Sequence, residues 1–206
     1  MFYYLIAFFS SMSIMILEIA GIRILTPFLG GTYIITTSAI GIMMASLALG
    51  YYLGGKYSRK NPSFAKLALI LLISGIYILS LAFSQFIILR ISFSLTISLI
   101  LKSIIYSCII FVIPSTLLGT VFPYVIQIMI NNNTIKENTG TIVGRFYAIS
   151  TIGSIFGTFL CGFILIIYFG IDRIFFFISI ILFLCSIACS LFHKKLITKD
   201  MDRTLK

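Results

Sequence analysis

The sequence predicts an all-α integral membrane protein with six transmembrane helices. Three observations carry this reading. Of the 206 residues, 60% are hydrophobic and 10% charged, and mean hydropathy is +1.17. A soluble domain carries ~25% charged residues. The apolar residues fall into six runs, each of a length suited to the ~20 residues that cross a hydrocarbon core. The basic residues collect between alternate runs, the pattern that sets orientation. No window of mixed polar composition is long enough to fold alone. Residues 1–195 are therefore expected to form one membrane domain and residues 196–206 a basic cytoplasmic tail.

The first span is predicted from about Phe2 to Leu25, with no basic n-region or cleavage site to mark it as a removable signal. It contains Glu18, and Arg23 follows near its end. An ionisable side chain near the bilayer centre costs ~3 kcal/mol or more, so it usually faces protein or a water-filled cavity. Five residues place Glu18 and Arg23 about 140° apart round a helix, so they pair directly only if the helix is distorted. Pro27 and Gly30-Gly31 are expected to end it.

The second span runs from about Thr36 to Leu53 and is rich in small residues; Gly50 and Gly54 form a GxxxG pair that admits a close helix neighbour. The stretch from Gly55 to Lys66, with Lys56, Arg59, Lys60 and Lys66, reads as a cytoplasmic loop. A third span follows from about Leu67 to Leu89, with Gln85 and Arg90 marking its outer end. Residues Ile91 to Leu99 alternate apolar and hydroxyl side chains, which alone is a strand signal. A lone strand cannot satisfy its backbone in lipid, so an extended or helical surface segment is expected.

The fourth span, about Ser103 to Ile130, holds Pro114 and Pro123, each expected to remove a helical hydrogen bond and kink the helix. Asn131 to Arg145 reads as a flexible cytoplasmic loop, where the sequon at Asn132 would not meet a glycosylation machinery. The fifth span, about Phe146 to Tyr168, aligns Ser150, Gly153, Ser154, Gly157, Thr158, Cys161 and Gly162 at three- and four-residue steps, which predicts a central, buried helix. Gly170 to Arg173 forms an outer turn, and the sixth span runs from about Ile174 to Phe192.

Eleven cations (Lys56, Arg59, Lys60, Lys66, Lys136, Arg145, Lys194, Lys195, Lys199, Arg203 and Lys206) then lie inside and three (Arg90, Lys102 and Arg173) outside, which predicts both termini in the cytoplasm. The net charge of +10 is thus spent on loops beside spans rather than on a basic stripe of a soluble fold, which argues against nucleic-acid binding. Cys108, Cys161, Cys185 and Cys189 lie in apolar runs without zinc or redox spacing and read as small packing residues. The single histidine, His193, sits by Lys194 and Lys195 at a helix end. No metal-ligand cluster, cofactor motif or Ser/His/Asp set emerges, so no catalytic residue is assigned and an embedded enzyme is disfavoured.

Several segments resemble a known family. Glu18, Arg23, Pro27 and Gly30, followed by the small-rich helix ending at Leu49 to Arg59, look like the start of the membrane domain of fused MFS/spermidine-synthase proteins. Pro114 to Pro123 (PSTLLGTVFP) resembles that family's "P-LLG--FP" segment, and Gly144 to Thr158 its "G-LYA-NT-GSI-G" segment. The resemblance implies a bundle like half of a major-facilitator transporter, in a bacterial inner membrane. The family usually continues into a cytosolic aminopropyltransferase-like domain. This chain is expected to stand without it, so the family's enzymatic residues have no positions here.

Two functions follow as expectations. In one, the chain is a transporter-like module and Glu18, with Arg23 near it, binds a cation such as a polyamine or relays a proton. In the other, it anchors a separately encoded soluble synthase through its basic loops. Against both stands a purely structural Glu18, hydrogen-bonded to a neighbouring helix. A homodimer sharing the Gly50 and Gly54 face is also expected.

Overall fold

The computed structural model describes residues 2–30, 33–59, 62–94, 98–131 and 138–204; for 28, 84–94, 131 and 195–204 only the backbone is described. Gly31, Lys60, the Asn132 sequon and Lys136 lie outside the described residues, as do the side chains of Gln85 and Arg90. The described chain is helical throughout: α1 (Phe2–Leu29), α2 (Tyr33–Ser58), α3 (Phe64–Ser94), α4 (Leu99–Asn131), α5 (Thr139–Phe159), a π-helical turn (Leu160–Leu165), α6 (Ile166–Tyr168) and α7 (Ile171–Thr204). Six helical stretches are long and apolar enough to cross a membrane, with the fifth composed of α5, the π turn and α6.

Helices extend past the expected spans because nothing stops them. Pro27 lies within the last turn of α1 rather than ending it. The stop is Gly30, whose φ of 85° is the left-handed cap conformation, with its N–H donating to the Thr26 carbonyl at 3.0 Å. Lys56 belongs to the last turn of α2 and Lys66 to the first turn of α3, so the basic connection is much shorter than expected. The alternating segment after residue 90 continues α3 as helix to Ser94; the pleated option loses because a helix satisfies its own backbone in lipid. Gly140 to Arg145, expected in a loop, already belong to α5, and the C-terminal tail prolongs α7 as helix to Thr204. α4 is helical through both Pro114 and Pro123.

Three pairings dominate the packing: α2 with α4, α3 with α7, and α1 with α5. Glycines make two of them possible. A methyl group at Gly54 would lie 2.7 Å from Thr120 Cα, and Gly50 lies against the Thr116 carbonyl. Gly157 lies 2.6 Å, measured the same way, from the Met12 carbonyl of α1, and Gly153 lies against that of Phe8. The Gly50 and Gly54 face, expected at a homodimer seam, is packed against α4 of the same chain. The third pairing is tied by Ser186, whose hydroxyl donates to the Ala68 carbonyl at 2.7 Å.

Lesser contacts join α1 to α4 and α7, and α3 to α4. Exchanging α1 with α4, α2 with α5 and α3 with α7 maps this contact pattern onto itself. Since spans three apart run in opposite directions, the pattern is that of an inverted repeat of three plus three helices. α1 has the largest buried share of the six spans and α2 and α5 the smallest. The expectation that span five is central is thus overturned. Its small face is buried against α1, while Ile152, Ile155, Phe159 and Phe163 point outward. Small residues let α5 approach closely on one side only, and α1 takes the middle.

Candidate functional site around Glu18

α1 is apolar nearly all round, as a helix enclosed by others must be. Its contacts divide its circumference. Gly21 faces α4, where a methyl group would lie 3.2 Å from an Ile110 methyl and against the Phe111 ring. Phe8, Met12 and Ile16 face α5, and the Cys161 thiol of the π turn donates to the Ile16 carbonyl at 3.8 Å. At about 100° per residue, Glu18 lies about 60° beyond Gly21, on the strip between the α4 and α5 contacts. Met15, Ile22 and Thr26 share that strip, and all four are half-buried where Leu17, Ala20, Ile24 and Leu25 are buried. α4 and α5 touch each other little. The strip therefore opens into the gap between them.

The antiparallel register at Gly21 and Phe111 sets Glu18 about level with Pro114. That proline has no N–H to donate to the Ile110 carbonyl, which is left with spare acceptor capacity one turn away. Six buried hydroxyls have no partner among the described residues: Ser10 and Ser13 on α1, and Ser103, Ser107, Ser115 and Thr116 on α4. Every one lies on the two helices that carry Glu18 and the proline segment. Buried polar groups are ordinarily bonded, so this concentration needs an explanation. Toward the basic end the gap is closed by stacked edges of aromatic rings. Phe122 of α4 meets Phe146 of α5 at 5.9 Å and Tyr51 of α2 at 5.7 Å between centroids, both edge to face.

Glu18 and Arg23 are not brought together. α1 is continuous through both, Arg23 is exposed, and no ion pair joins them among the described residues. Pro123 lies against Gly54, in the α2–α4 seam rather than beside Glu18. All four cysteines are free thiols, and among the described residues no three His, Cys, Asp or Glu side chains gather to hold a metal. Sequence reasoning missed the π turn, which gives no compositional signal, and the aromatic closure. The latter is foreshadowed only by aromatic residues near the same end of spans two, four and five.

The fold defines a multi-pass membrane protein of six helical spans that sits in a lipid bilayer. No protein-family model, curated protein or solved structure matches the chain.

Proposed function

We propose that this chain is a transporter-like membrane module that binds a cationic small molecule, such as a polyamine, at Glu18. The observation that carries the reading is the position of this carboxylate. It stands half-buried at span depth, in the gap between α4 and α5, with no ion-pair partner among the described residues. A cation supplied by a ligand would offset the cost of placing it there. The Ile110 carbonyl, left without its helical donor by Pro114, offers a further oxygen acceptor of the kind that holds an ammonium or an alkali ion. The resemblance to membrane domains fused to spermidine synthases makes a polyamine the first ligand to try.

The test uses liposomes carrying wild type, Glu18→Gln and Glu18→Leu, assayed for binding heat and uptake of labelled polyamine. Gln keeps the shape and a hydrogen-bonding amide but not the charge, so binding and flux are expected to vanish with folding intact. Wild-type behaviour of Glu18→Gln would sink the assignment and leave Glu18 a structural residue.

A second reading is favoured by a separate feature. The end of α2 presents Tyr51, Tyr52, Lys56 and Arg59 around a cavity of about 510 Å³, with Tyr52 largely exposed. Aromatic and arginine side chains are enriched at protein interfaces. This surface would suit the anchoring of a soluble aminopropyltransferase. Loss of co-purification with such a partner in Lys56→Glu/Arg59→Glu, with polyamine binding absent throughout, would favour it.

A further inference from the structure

The packing pattern leaves two slots. α2 and α3 both lie against α4 but scarcely touch each other. Between them is a cavity of about 490 Å³, lined by Leu53 and Tyr57 of α2, Lys66 and Ile70 of α3, and Leu117 and Tyr124 of α4. The exchange that maps α2 onto α5 and α3 onto α7 calls for a counterpart at the opposite end of the bundle. It is present, between the π turn and α7, as a cavity of about 310 Å³ lined by Leu165, Phe169, Arg173, Phe177 and Ile180. Each slot has one exposed cation at its mouth. In both it is the third residue of the helix that begins there, Lys66 in α3 and Arg173 in α7.

We propose that each slot seats one phospholipid, with an acyl chain between the helices and the phosphate on the cation, so that one lipid is held in each leaflet. The walls suit hydrocarbon: apart from the tyrosines, the mouth cations, Gly54 and the α4 threonines Thr116 and Thr120, the lining side chains are aliphatic or phenylalanine. Both slots open sideways between spans, where lipid chains are the surrounding material. A basic pocket between spans binds phosphate-bearing headgroups, and the positive end of the helix adds to the attraction. On α4 the first slot runs from Thr116 to Tyr124, about 12 Å at 1.5 Å per residue, with the tyrosines of its mouth at the depth where aromatic rings gather. The two seats differ in charge. Lys56 and Arg59 stand at the same end as Lys66, whereas Asp172 directly precedes Arg173. The Lys66 seat therefore selects anionic headgroups and the Arg173 seat does not.

Native mass spectrometry of the purified full chain, titrated with phosphatidylglycerol or phosphatidylcholine, tests this. Wild type is expected to retain two lipids. Lys66→Gln should weaken one site about fivefold for both lipids, the factor carried by one surface cation, and leave its preference for phosphatidylglycerol, which Lys56 and Arg59 supply. Arg173→Gln should weaken the other site for both lipids alike. Ile70→Trp, which fills the first slot, should remove one lipid whatever its headgroup. Wild-type retention in all three variants would overturn the proposal. So would displacement of the lipids by equimolar glycerol 3-phosphate, which would reduce the seats to phosphate binding without a chain.

Discussion

At the scale of single residues, glycine and glutamate carry the most consequence. Gly157 is in contact with the Met12 backbone, which cannot withdraw as a flexible side chain can. Gly157→Leu and Gly153→Leu are each expected to lower stability in detergent by more than ~1 kcal/mol, since overpacking a close seam forces backbone shifts. Thermal melting monitored by circular dichroism reads this out, and a wild-type melting point in both would mean that the seam opens at little cost. Gly162 is the contrast, because a methyl group there meets nothing within 4 Å. Gly50→Cys is expected to destabilise the α2–α4 seam and to give no intersubunit disulfide. A crosslinked dimer at that position would show that α4 yields its place to a second copy. These glycines and Glu18 could be picked out from the chain because their physics is local: a missing side chain at helical spacing, and a charge within an apolar run. Which helix each glycine would meet depends on long-range pairing, which spacing alone does not encode.

At the scale of elements, the π turn is the feature with a function to test. A π turn accommodates an extra residue within an α-helix and is frequent at functional sites. Here it meets α1 at Ile16, two residues from Glu18. Deleting Gly162 would let Leu160–Leu165 close as α-helix while the flanking contacts keep their register. The melting point is expected to hold or rise, and polyamine binding to fall if the turn shapes the gap beside Glu18. Unchanged binding would make the turn a packing detail. The six spans were legible from apolar length and charge because both follow from the bilayer alone. Helix ends were less so. The alternating residues after position 90 left extended and helical backbone both open, and residues 140–145, grouped with the asparagine-rich loop, mislead, since composition alone says nothing of which backbone groups find partners within a helix. The prominence given to span five had the same origin: a small-residue face announces close contact on one side, and nothing about the other.

At the scale of the whole molecule, the bundle is a set of cross-pairings with its most enclosed helix first in the chain. Orientation is expected to place both termini in the cytoplasm, from the distribution of cations. Single cysteines at Asn132 and Arg90, labelled by a membrane-impermeant maleimide in intact cells, test this. Arg90→Cys should react and Asn132→Cys should not; the reverse would invert the topology and exchange the leaflets of the two proposed lipid seats.

The cross-pairing also bears on biosynthesis. Each of the three strongest partnerships joins a helix from the first half of the chain to one from the second. When the ribosome has delivered α3, none of the helices yet in the membrane has met its main companion. α1 waits longest, until α5 and the π turn emerge more than a hundred residues later, on the order of ten seconds at ordinary elongation rates. Until α4 emerges Glu18 has neither the α4 contact nor the α5 contact beside it, and the α5 contact comes later still. The nascent first half is therefore the stage at which membrane quality control can act. Slowing translation between α3 and α4, with rare codons placed over residues 95–97, should lower the yield of intact protein while leaving the stability of whatever matures unchanged.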